Sequence, residues 1–168
     1  RHLINHGWNV SCVLLAADIS PDAAHHLQLL EKMGAEIIYY QHAPEAAISS
    51  IEKAAILIDS LIGYRLSGPP RDAFAEIITR MNNAPGKIIS YDMPTGVDAT
   101  TGECEVPCIE ALATLTLALP KKLFTQPQAR THSGRVFIGD IGIPAFLYNK
   151  IAPDSRPAFS HHGMVELN

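Results

Sequence analysis

The chain has 168 residues, of which 47% are hydrophobic and 18% charged, and its formal net charge is −4. That is enough for one globular core, and it lacks the basic surface that binding to nucleic acid or to an anionic membrane calls for. No apolar run reaches the roughly 18 residues of a membrane span, and the opening "RHLINHGWNV" carries no signal-peptide pattern.

The predicted elements alternate from the start. "RHLINHG" reads as the last turns of a helix closed by Gly7. "NVSCVLLA" (9–16) is a short β-branched strand. "SPDAAHHLQLLEKMG" opens on Ser20 as N-cap with Pro21 at the first helical position, and ends at Gly34. "AEIIYY" is a second strand, "APEAAISSIEKA" a helix, and "AAILIDSLIG" a third strand that ends on Asp59 and turns at Gly63. "PPRDAFAEIITRMNNA" is a helix beginning at its prolines, and "GKIISYD" is a fourth strand ending on Asp92. "ALATLTLAL" and "GRVFIGDIG" are further strands, "PAFLYNKI" is a last helix, and the stretch beyond Pro153 reads as a loose polar tail. The expected domain is therefore 1–152 and the tail 153–168. Strands and helices alternating at this spacing imply βαβ units. The fold class expected is α/β, a three-layer αβα Rossmann-like sandwich with a mostly parallel sheet.

In open parallel sheets, ligands sit just beyond the carboxyl ends of the strands. Asp59 and Asp92 end neighbouring strands and so are expected at one crevice. The stretch "SLIGYRLSGPPRD" after Asp59 supplies Gly63 and Gly68 ahead of a helix start, where backbone N–H groups could cradle a phosphate; an ordinary turn is the other reading. "YDMPTGVDATTGE" couples Asp92 to Thr95 through the rigid Pro94. Asp98 reads as the cap of the turn that follows, Asp140 as structural, and Trp8 as packed where helix meets strand. Three cysteines with no CxxC pair argue against a disulfide framework and for a reducing compartment. Cys104 and Cys108 have no His or Cys partner at zinc-site spacing.

The stretches "DSLIGYRLSGPPRDAFAEII", "YDMPTGVDATTGE", "LTLALPKK" and "GRVFIGDIGIP" resemble, in order and spacing, the YjeF N-terminal domain family, the NAD(P)H-hydrate epimerases. The resemblance runs from about Arg1 to Pro144. It implies a Rossmann-like fold and an isomerase that interconverts the R and S forms of hydrated NADH and NADPH in nicotinamide nucleotide repair. It also implies a K+ site, with Asp59 and Thr95 as side-chain ligands. The substrate loop maps onto Gly63, Tyr64, Arg65, Leu66, Ser67, Gly68 and Pro69. Asp92 maps onto a substrate-contacting Asp, for which a general acid/base role is chemically reasonable. Lys121 matches a family Lys that is read either as a charge for the substrate or as a solvated strand-end residue.

The family's Asn-Asn-Gly-Gly-Asp loop is expected ahead of Arg1, so the chain reads as N-terminally truncated relative to the family. Gly63-Tyr64-Arg65 stands where many members have Gly-Thr-Gly, a subgroup feature. The implied partners are hydrated NADH or NADPH and a separate NAD(P)H-hydrate dehydratase, with a homodimer left open and a cytoplasmic location expected. A non-catalytic nucleotide- or protein-binding module and the front half of a fused epimerase–dehydratase are the alternatives.

Overall fold

The computed structural model describes residues 1–15, 19–63, 68–151, 157, 159 and 163–167. The chain divides into two compact units, residues 1–53 and 54–168.

The first unit runs α1 (His2–Asn5), β1 (Ser11–Leu14), α2 (Pro21–Lys32), β2 (Glu36–Tyr39) and α3 (Pro44–Lys53). Gly7 takes φ +81°, the left-handed geometry expected after a helix end. Ser20 caps α2 by accepting a hydrogen bond from the Ala23 N–H at 3.3 Å. β1 and β2 pair in parallel, Ser11 opposite Glu36 and Leu14 opposite Tyr39. The expected strand end at Ala16 lies outside the described residues. Trp8 is 55% exposed rather than packed at the junction.

The second unit carries β3 (Ile56–Asp59), α4 (Asp72–Asn83), β4 (Lys87–Tyr91), β5 (Ala113–Leu117), a 3₁₀ turn (Lys122–Thr125), α5 (Pro127–Ser133), β6 (Arg135–Gly139), α6 (Ala145–Ile151) and β7 (Met164–Leu167). Its sheet has the order β3-β4-β5-β6-β7, parallel throughout except for the antiparallel β6–β7 pair. α4 begins at Asp72, not at the prolines, because Arg71 is still extended (φ −128°, ψ 165°). It buries Ile77, Ile78 and Met81 on one stripe. No helix of the described residues is long and apolar enough to cross a membrane.

The tail does more than its composition suggests. β7 adds an edge strand to β6, with Val136 opposite Leu167 and Gly139 opposite Met164. Arg135 fixes the pair by donating from Nε and Nη2 to the two carboxylate oxygens of Glu166, each at 2.8 Å. That hydrogen bonding, with the guanidinium's charge, holds the Glu166 carboxyl below its usual range. The support is therefore present above the ordinary glutamate range and is lost as pH falls through the depressed value. At neutral pH, Glu166→Gln should speed amide exchange in β7 several-fold and leave the midpoint of global unfolding unmoved. Unchanged exchange would mean that the backbone ladder alone holds the strand.

Candidate functional site

The site is built at the carboxyl ends of β3, β4 and β5. Side chains alternate along a strand, so Asp59 shares a face with Leu57; both are buried, and Asp59 is 0% exposed. Asp59 pairs in register with Ser90 of β4. Burying a carboxylate is costly unless its oxygens are satisfied, and here both are. Oδ2 accepts from the Ser90 hydroxyl at 2.7 Å and the Thr95 N–H at 2.9 Å. Oδ1 accepts from the Thr95 hydroxyl at 2.6 Å and the Leu61 N–H at 3.3 Å. Thr95 Oγ1 also accepts from the Ile62 N–H at 3.1 Å and lies 3.2 Å from the Ile62 carbonyl. A carboxylate, a hydroxyl and a carbonyl thus converge in one buried place.

The turn that delivers Thr95 is anchored from below. Met93 and Val97 are 2% and 0% exposed, in a cluster with Cys108, Leu123, Phe124, Ala129 and Val136. The residues between them are thereby fixed against the strand ends. Gly96 makes the turn possible: it has φ +91°, and a Cβ there would lie 2.7 Å from the Cys108 Cα and from the Pro107 carbonyl oxygen. Asp98 caps the next turn, with Oδ1 accepting from the N–H groups of Thr100 and Thr101 at 2.8 and 2.7 Å. Those bonds hold its carboxyl below the usual range. Asp140 likewise accepts from the Gly142 N–H at 2.8 Å, a turn contact.

Asp92 follows β4 directly. Its N–H still bonds the Leu115 carbonyl at 2.8 Å, extending the ladder, but its φ is +73°. Asp tolerates this left-handed region better than most residues. Oδ1 takes both contacts of the side chain, an ion pair with Lys121 Nζ and a 3.3 Å bond from the Leu117 N–H. Oδ2 has no hydrogen-bond partner among the described residues. The Asp92 and Lys121 side chains are 23% and 24% exposed, so solvent or a ligand can reach the pair.

Of the residues singled out in the sequence, the structure brings Asp59 and Thr95 into contact and pairs Asp92 with Lys121. Gly63, Gly68 and Pro69 are exposed, with Gly68 at φ +74°. Tyr64, Arg65, Leu66 and Ser67 lie outside the described residues. Ser90 and the Ile62 carbonyl were missed. The signal for Ser90 was positional: it stands two residues before Asp92 on a strand that must pair with β3, so it shares a face with Asp59. Thr116 on β5 was also missed; it is fully buried, and its hydroxyl has no partner among the described residues.

The cysteines correct the sequence reading. Cys104 and Cys108 are joined as a disulfide, with Cα atoms 5.8 Å apart. The stretch between β4 and β5 holds no helix; it doubles back on itself through a Val97–Cys104 bridge. That reversal makes a pair out of cysteines whose spacing fits no redox motif.

A mostly parallel α/β fold with acids and a rigid hydroxyl turn at its strand ends defines a Rossmann-like, ligand-binding class of protein. Within that class, the sequence model described as "YjeF-related protein N-terminus" matches residues 1–123, and the chain belongs to that family. It is 38% identical over 151 residues to an NAD(P)H-hydrate epimerase of Dehalogenimonas lykanthroporepellens, covering 89% of this chain and 58% of that protein. It is 35% identical over 149 residues to a bifunctional NAD(P)H-hydrate repair enzyme of Moorella thermoacetica, covering 86% of this chain and 28% of that one. The chain thus spans less than two thirds of the length of each of these two relatives. A crystal structure titled "yeast ynu0, YNL200c" superposes with a TM-score of 0.83 over 99% of this chain and 69% of that chain, at 19% identity. The α/β Rossmann-like fold expected from the sequence is the fold that the two share.

Proposed function

We propose that this chain carries NAD(P)H-hydrate epimerase activity, interconverting the R and S forms of hydrated NADH and NADPH. The observation that carries the reading is the Asp92–Lys121 pair, about a quarter exposed to solvent at the strand ends where ligands of this fold bind. The names of the relatives support the choice of substrate.

One route to inverting a carbon that bears an added hydroxyl is for the oxygen to leave and water to return on the opposite face. The first event needs an acid and the second a base. An ammonium beside a carboxylate offers both, and Asp92 Oδ2 is uncommitted for proton transfer. Asp92 and Lys121 are the candidate catalytic residues on this reading. Gly63, Gly68 and Pro69, with Tyr64, Arg65, Leu66 and Ser67 between them, form the proposed substrate loop.

K+ is the cation implied for the site, and the donors suit it. The Asp59 carboxylate, the Thr95 hydroxyl and the Ile62 carbonyl are all oxygens, the set that hard cations prefer. Asp59 and Thr95 are the proposed side-chain ligands, and the ion would supply positive charge beside an anionic nucleotide. Such a substrate arises where NADH and NADPH are held, so the cytoplasm is the proposed location, with a separate dehydratase consuming the S form.

The test follows one epimer of hydrated NADPH by chromatography as it approaches the R/S equilibrium, with and without the protein. The reading expects a rate well above the spontaneous one. A rate equal to background, with the nucleotide still bound, would identify a binding module instead.

A further inference from the structure

The loop that follows the Thr95 turn gathers three soft ligands that lie apart in sequence. The ligand atoms of Cys104, Cys108 and His132 all lie within 4.8 Å of one another. His132 Nδ1 is 3.4 Å from Cys108 Sγ; a disulfide sulfur carries no proton, so the imidazole N–H is the donor. Bonds independent of the disulfide fix both residues. The Asn82 side-chain amide donates to the Cys108 carbonyl at 2.8 Å. The His132 carbonyl accepts from the Ala111 N–H at 2.8 Å. The Cys108 Cα is also wedged against Gly96. Breaking the sulfur–sulfur bond therefore leaves Cys108 and His132 facing each other.

Reduction by a thiol balances simply. The Cys104–Cys108 bond breaks, two external thiols join as a disulfide, and their two hydrogens pass to Cys104 and Cys108. The product is two thiols and an imidazole. Zinc takes thiolate sulfur at about 2.3 Å and imidazole nitrogen at about 2.0–2.1 Å, so ligand atoms on a tetrahedral ion stand roughly 3.4–3.8 Å apart. That separation fits inside the observed spread with a rotation at Cys104. Binding releases both thiol protons to solvent. In the oxidised form neither sulfur has a thiolate to give.

We propose that Cys104, Cys108 and His132 form a redox-gated zinc site, open to the metal when the cysteines are reduced and closed when they are joined. Three protein ligands leave the fourth position to water, and Cys104 and His132 are partly exposed, so the ion has a way in. The same loop touches the turn of the candidate site: the Ile109 N–H donates to the Thr95 carbonyl at 2.8 Å, and the Glu105 N–H to the Gly96 carbonyl at 2.7 Å.

The test reduces the full chain with a phosphine, which takes up oxygen from water as the disulfide becomes two thiols, and removes the reagent. Zinc is then titrated against a chromophoric chelator, and cobalt is added in parallel to look for thiolate charge-transfer bands. One zinc per chain is expected for the reduced protein and none for the oxidised protein. His132→Ala, which removes a direct ligand, should weaken binding by more than the about 10–100-fold that loss of a mere supporting group costs. Cys104→Ser should remove the charge-transfer bands of a two-thiolate site. Cys12→Ser, which alters the one free cysteine, should change nothing. Where Cys104→Ser fails to fold, alkylating the reduced wild-type thiols should abolish binding instead. Equal uptake by oxidised and reduced protein, no uptake by the reduced protein, or loss of binding in Cys12→Ser would overturn the site.

Discussion

Replacing Asp59 by Ala is expected to cost about 3–5 kcal/mol of folding stability, the range seen when one partner of a buried charged network is removed. The carboxylate is fully buried and accepts from Ser90, Leu61 and twice from Thr95. Without it, four donors lose their acceptor, and each unsatisfied group carries a penalty of about 1–3 kcal/mol. Some of that is recovered by water entering the space, so the sum is an upper bound. Domains of this size hold only about 5–15 kcal/mol in all, so the variant should unfold at far lower urea with an unchanged m-value. Asp59→Asn is the sharper variant. It keeps the shape, but its amide NH₂ must face either the Thr95 N–H and Ser90 or the Leu61 N–H and Thr95, donor against donor. A milder loss is expected, together with disappearance of any rise in Tm that K+ brings to the wild-type protein. An Asp59→Ala variant with the wild-type midpoint would mean that the network stabilises nothing.

The extent to which the sequence revealed these features follows from the range of the forces involved. Ser20, Pro21 and Gly7 act within a turn of their own helix, so the ends of α1 and α2 were readable. The parallel class of the sheet was readable from spacing alone. The ends of β3 and β4 fall where the sequence put them, at Asp59 and just before Asp92, because the apolar runs stop there. What stayed hidden depends on register and on contacts distant in the chain. Ser90 matters only because it stands opposite Asp59, and the Ile62 carbonyl only because Thr95 reaches it. β7 was hidden by its polar surroundings: Glu166 looks like a tail residue until Arg135 meets it across the strand pair. The disulfide and its neighbour His132 were hidden for the same reason. Spacing rules describe ligands that share one local motif, and His132 comes from α5, 24 residues beyond Cys108.

The largest expected functional effect falls on Asp92. In Asp92→Asn the shape is kept while the negative charge and most of the proton-accepting power are lost. Lys121 keeps its charge without a counter-ion, but the pair is about a quarter exposed, so water can solvate the ammonium. Folding should therefore change little, in contrast to Asp59. If Asp92 moves the proton, epimerisation should slow by about 10²–10⁴-fold, the usual contribution of a positioned acid or base. The spontaneous rate has to be subtracted first. Lys121→Met should slow the reaction too, and the double variant is expected to be far less impaired than the product of the two single effects, because residues acting as one unit are not additive. The split between kcat and KM tests this further. A proton-transfer pair lowers kcat, whereas a pair that only binds the nucleotide raises KM and leaves kcat in place. Normal kcat in Asp92→Asn would reduce the residue to a strand terminator held at positive φ, and the acid and base would have to be sought elsewhere.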